Sequence, residues 1–171
     1  MKQIIKVIIL FFIFVGLIGC GYRPSAKFAR QTLGDKISTQ VVISAIVPEN
    51  TVIMKDAVDS AIIKVFQASL VDKNKSDTHL VLSMGSPSYS PVVYDNNGYV
   101  TGYRMTVTLG ITKIHAGVKR SYTAKGNYDF EIAPNAVISD QQRFEAIGFS
   151  VDKAIRSFVA QVSAEGARAD K

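Results

Sequence analysis

The chain has 171 residues, a formal net charge of +6, a sequence pI near 9.4 and 47% hydrophobic residues. That length suits one domain rather than several, and the single cysteine excludes an internal disulfide. The basic balance points to an anionic partner such as nucleic acid, lipid phosphate or an acidic surface.

The N-terminus carries Lys2 and Lys6, then an uncharged apolar run from Val7 to Ile18. A dozen or so apolar residues behind positive charge fit a signal peptide and fall short of the roughly 20 that a spanning helix needs. The run ends in Leu17-Ile18-Gly19-Cys20, the arrangement of a bacterial lipoprotein. On this reading residues 1–19 are removed, the Cys20 thiol takes a diacylglycerol and the freed amine is acylated. The competing readings are an ordinary secretory signal with a chance cysteine and an uncleaved anchor. Three acyl chains hold far more firmly than the marginal binding of one. Gly21, where an aspartate would retain a lipoprotein in the inner membrane of many Gram-negative bacteria, favours the outer membrane. Loss of Lys2 and Lys6 lowers the net charge by two, to +4. Exposure to the periplasm argues against nucleic acid as the partner for that charge.

Residues 20–36 read as the lipidated cysteine and a tether, broken by Gly21, Pro24, Ser25 and Gly34 and kept soluble by Lys27, Arg30 and Lys36. Val and Ile enrichment predicts a strand from Thr39 to Val47. From Thr51 to about Asp72, Ala57, Ala61, Ile62, Val65, Phe66 and Leu70 recur at spacings of three and four, which predicts a helix. Thr78 to Met84 reads as a strand. The prolines and serines of Gly85 to Pro91 predict a bulge or edge irregularity, Pro91 to Tyr94 resumes extension, and Asp95-Asn96-Asn97-Gly98 predicts a tight turn. Tyr99 to Ile114 is the clearest strand. Tyr103, Met105, Val107, Leu109 and Ile111 alternate there with Arg104, Thr106, Thr108 and Thr112. A turn at 115–118 leads to a further strand from Lys119 to Ile132. Ser139 with Gln142 fits a capping box. It opens a helix with an apolar stripe from Phe144 to Val162, ending near Glu165-Gly166. The expected fold is α+β in the order β-α-β-β-β-α, with two helices on one face of a four-stranded sheet. The domain spans 37–166, and residues 167–171 form a polar tail.

Catalytic chemistry has no support in the sequence. There is no H-E-x-x-H and no phosphate-cradling glycine loop, and no cofactor or metal is implied. Asp72, Asp77 and His79 read as a solvated loop end, and Ser86, Ser88 and Ser90 have no base beside them. The concentrated feature is a basic hairpin. Lys113, Lys119, Arg120 and Lys125 surround the turn at 115–118, and no acid lies between Arg104 and Asp129. As a solvated hairpin, its lysines protect a sheet edge. As a site, its charged ends converge on phosphate, Arg supplying a forked donor and Lys a point charge. Tyr89, Tyr94, Tyr99 and Tyr103 on the preceding hairpin suit sheet surface or a protein interface.

Cys20-Gly21-Tyr22, the stretch Tyr94 to Tyr99 and the stretch Asn135 to Glu145 resemble the lipopolysaccharide-assembly lipoproteins of the LptE family, over most of residues 20–166. After Tyr22 the chain has Arg23-Pro24-Ser25 where better-known members continue into a leucine-arginine-glycine run. The resemblance implies a non-enzymatic outer-membrane subunit that plugs the LptD barrel, helps it fold and binds lipopolysaccharide for delivery to the surface. Lys113, Lys119, Arg120 and Lys125 are lipopolysaccharide-binding candidates by chemistry. The alternative is a structural or adhesive outer-membrane lipoprotein without a lipid ligand.

Overall fold

The structure is a computed structural model that describes residues 30, 32–42, 55, 56, 59, 60, 63, 68–134 and 136–169. Cys20, the signal segment and Asn135 lie outside the described residues.

Among the described residues, six strands form one mixed sheet. β1 (Lys36–Val41) pairs in parallel with β2 (Ser69–Leu70) and with β3 (Thr78–Met84). β3 is antiparallel to the C-terminal half of a long strand, β5 (Val100–His115). β4 (Ser88–Tyr94) lies along the other half of β5. The Gly85 amide bonds the Thr108 carbonyl at 3.0 Å between them. β3 and β4 are thus one edge of β5, interrupted where the prolines and serines predict irregularity, with further register shifts at Pro91 to Tyr94. β6 (Val118–Glu131) pairs with the opposite edge of β5 through a two-residue turn. Ala116 and Gly117 there have φ of 47° and 77°, the left-handed pair that matches strand twist in tight hairpins.

The helix α1 (Asp140–Ala169) covers β5 and β6. Its start is the expected capping box: the Gln142 amide donates to Ser139 Oγ at 3.2 Å, and the Ser139 amide donates to Gln142 Oε1 at 3.1 Å. Ala146, Ser150, Ala154, Phe158 and Val162 are buried, as are Ile147, Val151, Ile155, Val159 and Ser163. The odd residues Met105 to Ile111 of β5 meet this stripe, with Leu80, Leu82 and Ala124 beside them. Each fully buried aliphatic or aromatic side chain contributes roughly 1.5–3 kcal/mol. At one point a small residue is required. A Cβ on Gly126 of β6 would lie 1.9 Å from the Ser150 carbonyl oxygen and 2.4 Å from the Ala154 nitrogen, so backbone crosses backbone there.

Several expectations are corrected. Among the described residues the sheet has six strands rather than four, because the Pro91 region forms β4 and because Ser69–Leu70 is a strand where the helical pattern was read through to Asp72. Ser69 and Leu70 pair with Lys36 and Ile37, and Ala68 is buried, so backbone pairing overrides the local periodicity. Of that predicted helix, Lys55, Asp56, Asp59, Ser60 and Ile63 are helical. Thr39 donates to Asp59 at 2.9 Å from the same sheet face that α1 covers. The first strand begins at Lys36 rather than Thr39; residues 43–47 lie outside the described residues. Leu33, expected in the tether, is wholly buried in the core. Gly34, at φ 81°, turns the chain there, and the amides of Asp35 and Lys36 donate to the Asp77 carboxylate at 3.2 and 3.0 Å. α1 runs on to Ala169, past Gly166.

Candidate functional site

The register of β5 and β6 decides how the basic hairpin is built. Lys113 lies opposite Arg120, Ile114 opposite Lys119 and Thr108 opposite Lys125. Side chains alternate along a strand. Lys113 and Arg120 therefore face α1, whereas Lys119 and Lys125 face the opposite side of the sheet. The four cations do not converge on one point, contrary to the expectation from their spacing alone. Lys119 and Lys125 are also six residues apart on one strand, about 20 Å at strand rise. Both are exposed, without an acidic partner among the described residues.

Lys113 is the surprise of the set. Its side chain is only 7% exposed, at the position where the alternation Met105-Val107-Leu109-Ile111 next points inward. Like charges directly opposite across a ladder repel, and a buried cation needs a partner. Glu165 of α1 supplies it. Lys113 Nζ lies 3.2 Å and Arg120 Nη1 2.6 Å from Glu165 Oε1, and Tyr122 donates its hydroxyl to Oε2. Burial pushes the Glu165 carboxyl upward, but the bonds from Tyr122 and Lys113 and the charges of Lys113 and Arg120 outweigh it. The net pKa lies below the usual glutamate value. Burial first, and then the bond to Glu165, push the Tyr122 phenol well above its ordinary value. The Tyr122 ring packs edge-on against Phe158, centroids 5.3 Å apart. Beside this cluster is a depression of about 640 Å³ lined by Arg120, Tyr122, Gln161, Ala164, Glu165 and Arg168.

Sequence reasoning missed Glu165, Tyr122 and Arg168. A signal for Glu165 exists: it extends the apolar stripe of α1 by three residues beyond Val162, so one acid and one lysine each sit at a core position of facing elements.

The other polar groups are structural. His79 is buried on β3, its Nδ1 2.8 Å from Ser38 Oγ and its Nε2 3.3 Å from Gln40 Oε1. It pairs with β1 rather than joining Asp72 and Asp77 in a loop end. His115 Nδ1 lies 2.9 Å from Thr78 Oγ1 and 3.0 Å from the Asp77 carbonyl. Arg104 and Asp129, cross-strand neighbours, form a forked pair at 2.7 and 2.8 Å. Among the described residues, no three His, Cys, Asp or Glu side chains converge as a metal site, and no helix is long and apolar enough to cross a membrane. Tyr89, Tyr94 and Tyr99 are exposed, while Tyr103 stacks on Phe130 with centroids 6.2 Å apart.

The family model for lipopolysaccharide assembly, LptE, matches residues 38–162, well over half of the chain. The chain belongs to the LptE family. LptE proteins are non-enzymatic lipoproteins. Solved structures share the fold at low identity. A lipoprotein of Caulobacter crescentus superposes with a TM-score of 0.54 at 10% identity, covering 87% of this chain and 98% of that one. Lipoprotein B of Nitrosomonas europaea gives 0.50 at 12% identity, covering 78% and 84%. A protein of Xanthomonas campestris gives 0.50 at 12%, covering 82% and 89%. Curated protein sequences contain no significant match.

Proposed function

We propose that this LptE-family chain is an outer-membrane lipoprotein subunit of the lipopolysaccharide translocon. In this reading Cys20 carries the lipid anchor and the folded domain plugs an LptD-type β-barrel and helps it assemble. The domain also binds lipopolysaccharide during delivery to the cell surface. The observation that carries the reading is the family match over residues 38–162.

Two surface features support it. The hairpin of β4 and β5 exposes Tyr89, Val92, Val93, Tyr94 and Tyr99, between 38% and 58% each. Clustered exposed aromatic and aliphatic side chains suit a protein partner. At the other end of β5, Lys119 and Arg120 of β6 give cationic surface for lipid phosphates, with Lys125 farther along β6, whereas Lys113 is buried against Glu165. Barrel contact and lipid contact then fall at opposite ends of β5.

The test is co-purification of the full lipoprotein with a large β-barrel, together with a clean deletion. Loss of correctly assembled barrel and leakage of large antibiotics are expected. Normal barrel levels with normal permeability would leave a structural or adhesive lipoprotein as the better reading.

A further inference from the structure

We infer that the depression at the C-terminal end of α1 is a phosphate-monoester site, in which Arg120 and Arg168 bind the phosphate and Glu165 is a resident carboxylate that holds Arg120 in place. The inference deepens the lipid-binding half of the proposed function and rests on it only for which molecule brings the phosphate.

The charge balance is the first argument. Lys113 and Arg120 pair with a single carboxylate, Glu165, and Arg168 lines the same depression. The cluster keeps an excess of positive charge although its internal pair is satisfied. Arg168 is exposed and has no ion pair with a described residue. The end of a helix presents carbonyl oxygens worth about half a negative charge. Arg168 offsets that, and the surplus still favours an anion.

The donors are the second argument. Arg120 directs Nη1 to Glu165, and a guanidinium has five N–H donors in a fork. Arg168 lines the same depression, and Gln161 stands beside it, its Nε2 donating to the Thr123 carbonyl at 3.0 Å. Glu165 already shows that this geometry accepts an oxyanion, since three donors from β5 and β6 close on its two oxygens. A phosphate monoester carries about −1.5 to −2 at neutral pH and presents three acceptor oxygens. A diester carries one charge and fewer free oxygens, so the site discriminates between them. The Tyr122 ring and Ala164 give the depression an apolar side, where the body of an amphiphile can rest.

The test uses the full lipoprotein in neutral detergent micelles. The probes are phosphatidic acid, a monoester, and phosphatidylglycerol, a diester, at equal mole fraction, with inorganic phosphate as competitor. The wild-type chain should prefer phosphatidic acid. Arg168→Gln, an exposed change that leaves the fold intact, should weaken that binding by about tenfold, the scale of one charge-assisted hydrogen bond. Glu165→Gln should strengthen it by about threefold, because the cations lose their internal partner. Glu145→Gln makes the same charge change about 30 Å away along α1, beyond the screening length of about 10 Å, and should change nothing. Thermal melts confirm that each variant is folded. Competition by inorganic phosphate would show that the headgroup alone is enough; its failure alongside lipid binding would assign the ligand to a lipid. Equal affinity for the two lipids, an unchanged Arg168→Gln, or a Glu165→Gln no different from Glu145→Gln would overturn the inference. Lipopolysaccharide binding is measured separately, so its absence alongside intact phosphatidic acid binding would count against the proposed function and not against this site.

Discussion

Gly126 of β6 passes so close to Ser150 of α1 that a Cβ on the glycine would lie 1.9 Å from the serine's carbonyl oxygen. The obstacle is helix backbone, which cannot rotate away as a side chain can. Gly126→Ala must push α1 off the sheet along the stripe that holds Val151, Ala154 and Ile155. Overpacking of this kind costs about 3 kcal/mol. A melt should show the midpoint lowered by roughly 10 °C for a domain of this size, and an unchanged midpoint would show that the helix does not cross there.

Lys113 and Glu165 give a second prediction. Glu165→Ala leaves the Lys113 ammonium buried with no acceptor. Breaking such a pair costs about 3–5 kcal/mol when fully buried. With the Glu165 side chain 25% exposed, a loss of about 2 kcal/mol is expected. Lys113→Met combined with Glu165→Leu should recover most of it, because an apolar pair of similar volume replaces a buried ion pair at little cost. Denaturant titration of the single and double variants measures the coupling. Additive losses would mean that the two side chains stabilise the fold independently.

His79 makes stability depend on pH. Burial, and then the nearby Lys73 charge, hold its pKa below the ordinary histidine value. The native ring stays neutral where the unfolded chain takes up a proton, near pH 6.5. Unfolded chains then bind more protons, so stability is full above about pH 6.5 and is lost as pH falls from there through the lowered native value. The slope from one such group is at most about 1.4 kcal/mol per pH unit. His79→Gln should flatten the stability profile below about pH 6.5 relative to the wild type. Parallel profiles would assign the acid sensitivity to other groups.

The elements that the sequence makes legible are those with strict alternation. Met105 to Ile111 alternate cleanly, and the observed strand matches the reading within a residue at each end. Thr78–Met84 was legible for the same reason. β4 was legible only in its second half, as the extension from Pro91 to Tyr94, because every residue of Ser88–Tyr94 is exposed and no apolar face marks it. β2 was hidden because Ala68 and Leu70 also continue a helical spacing, and only pairing with β1 decides between the two. The basic hairpin was visible as composition, but the split of its cations between two faces follows from the odd-even register fixed by the Ala116-Gly117 turn. Lys119 and Arg120 are neighbours in sequence and therefore point to opposite sides. The partner that draws Lys113 inward lies 52 residues away, a distance at which local pattern carries no information.

That split governs the last prediction. Lys119 and Lys125 are exposed on the face away from α1, about 20 Å apart, so they act as a field rather than as one cradle. Charges at the rim of a binding surface mainly speed association and set its salt dependence. Replacing both by Ala should slow lipopolysaccharide association by about threefold at low salt. The difference should vanish as the screening length shortens toward about 3 Å at 1 M salt. Dissociation should hardly change, and neither should stability, since exposed lysines contribute little to it. The measurement is association and dissociation of lipopolysaccharide with the full lipoprotein in neutral detergent at two salt concentrations. A large rise in the dissociation rate of the double variant would instead place a direct lipid contact on the open face of the sheet.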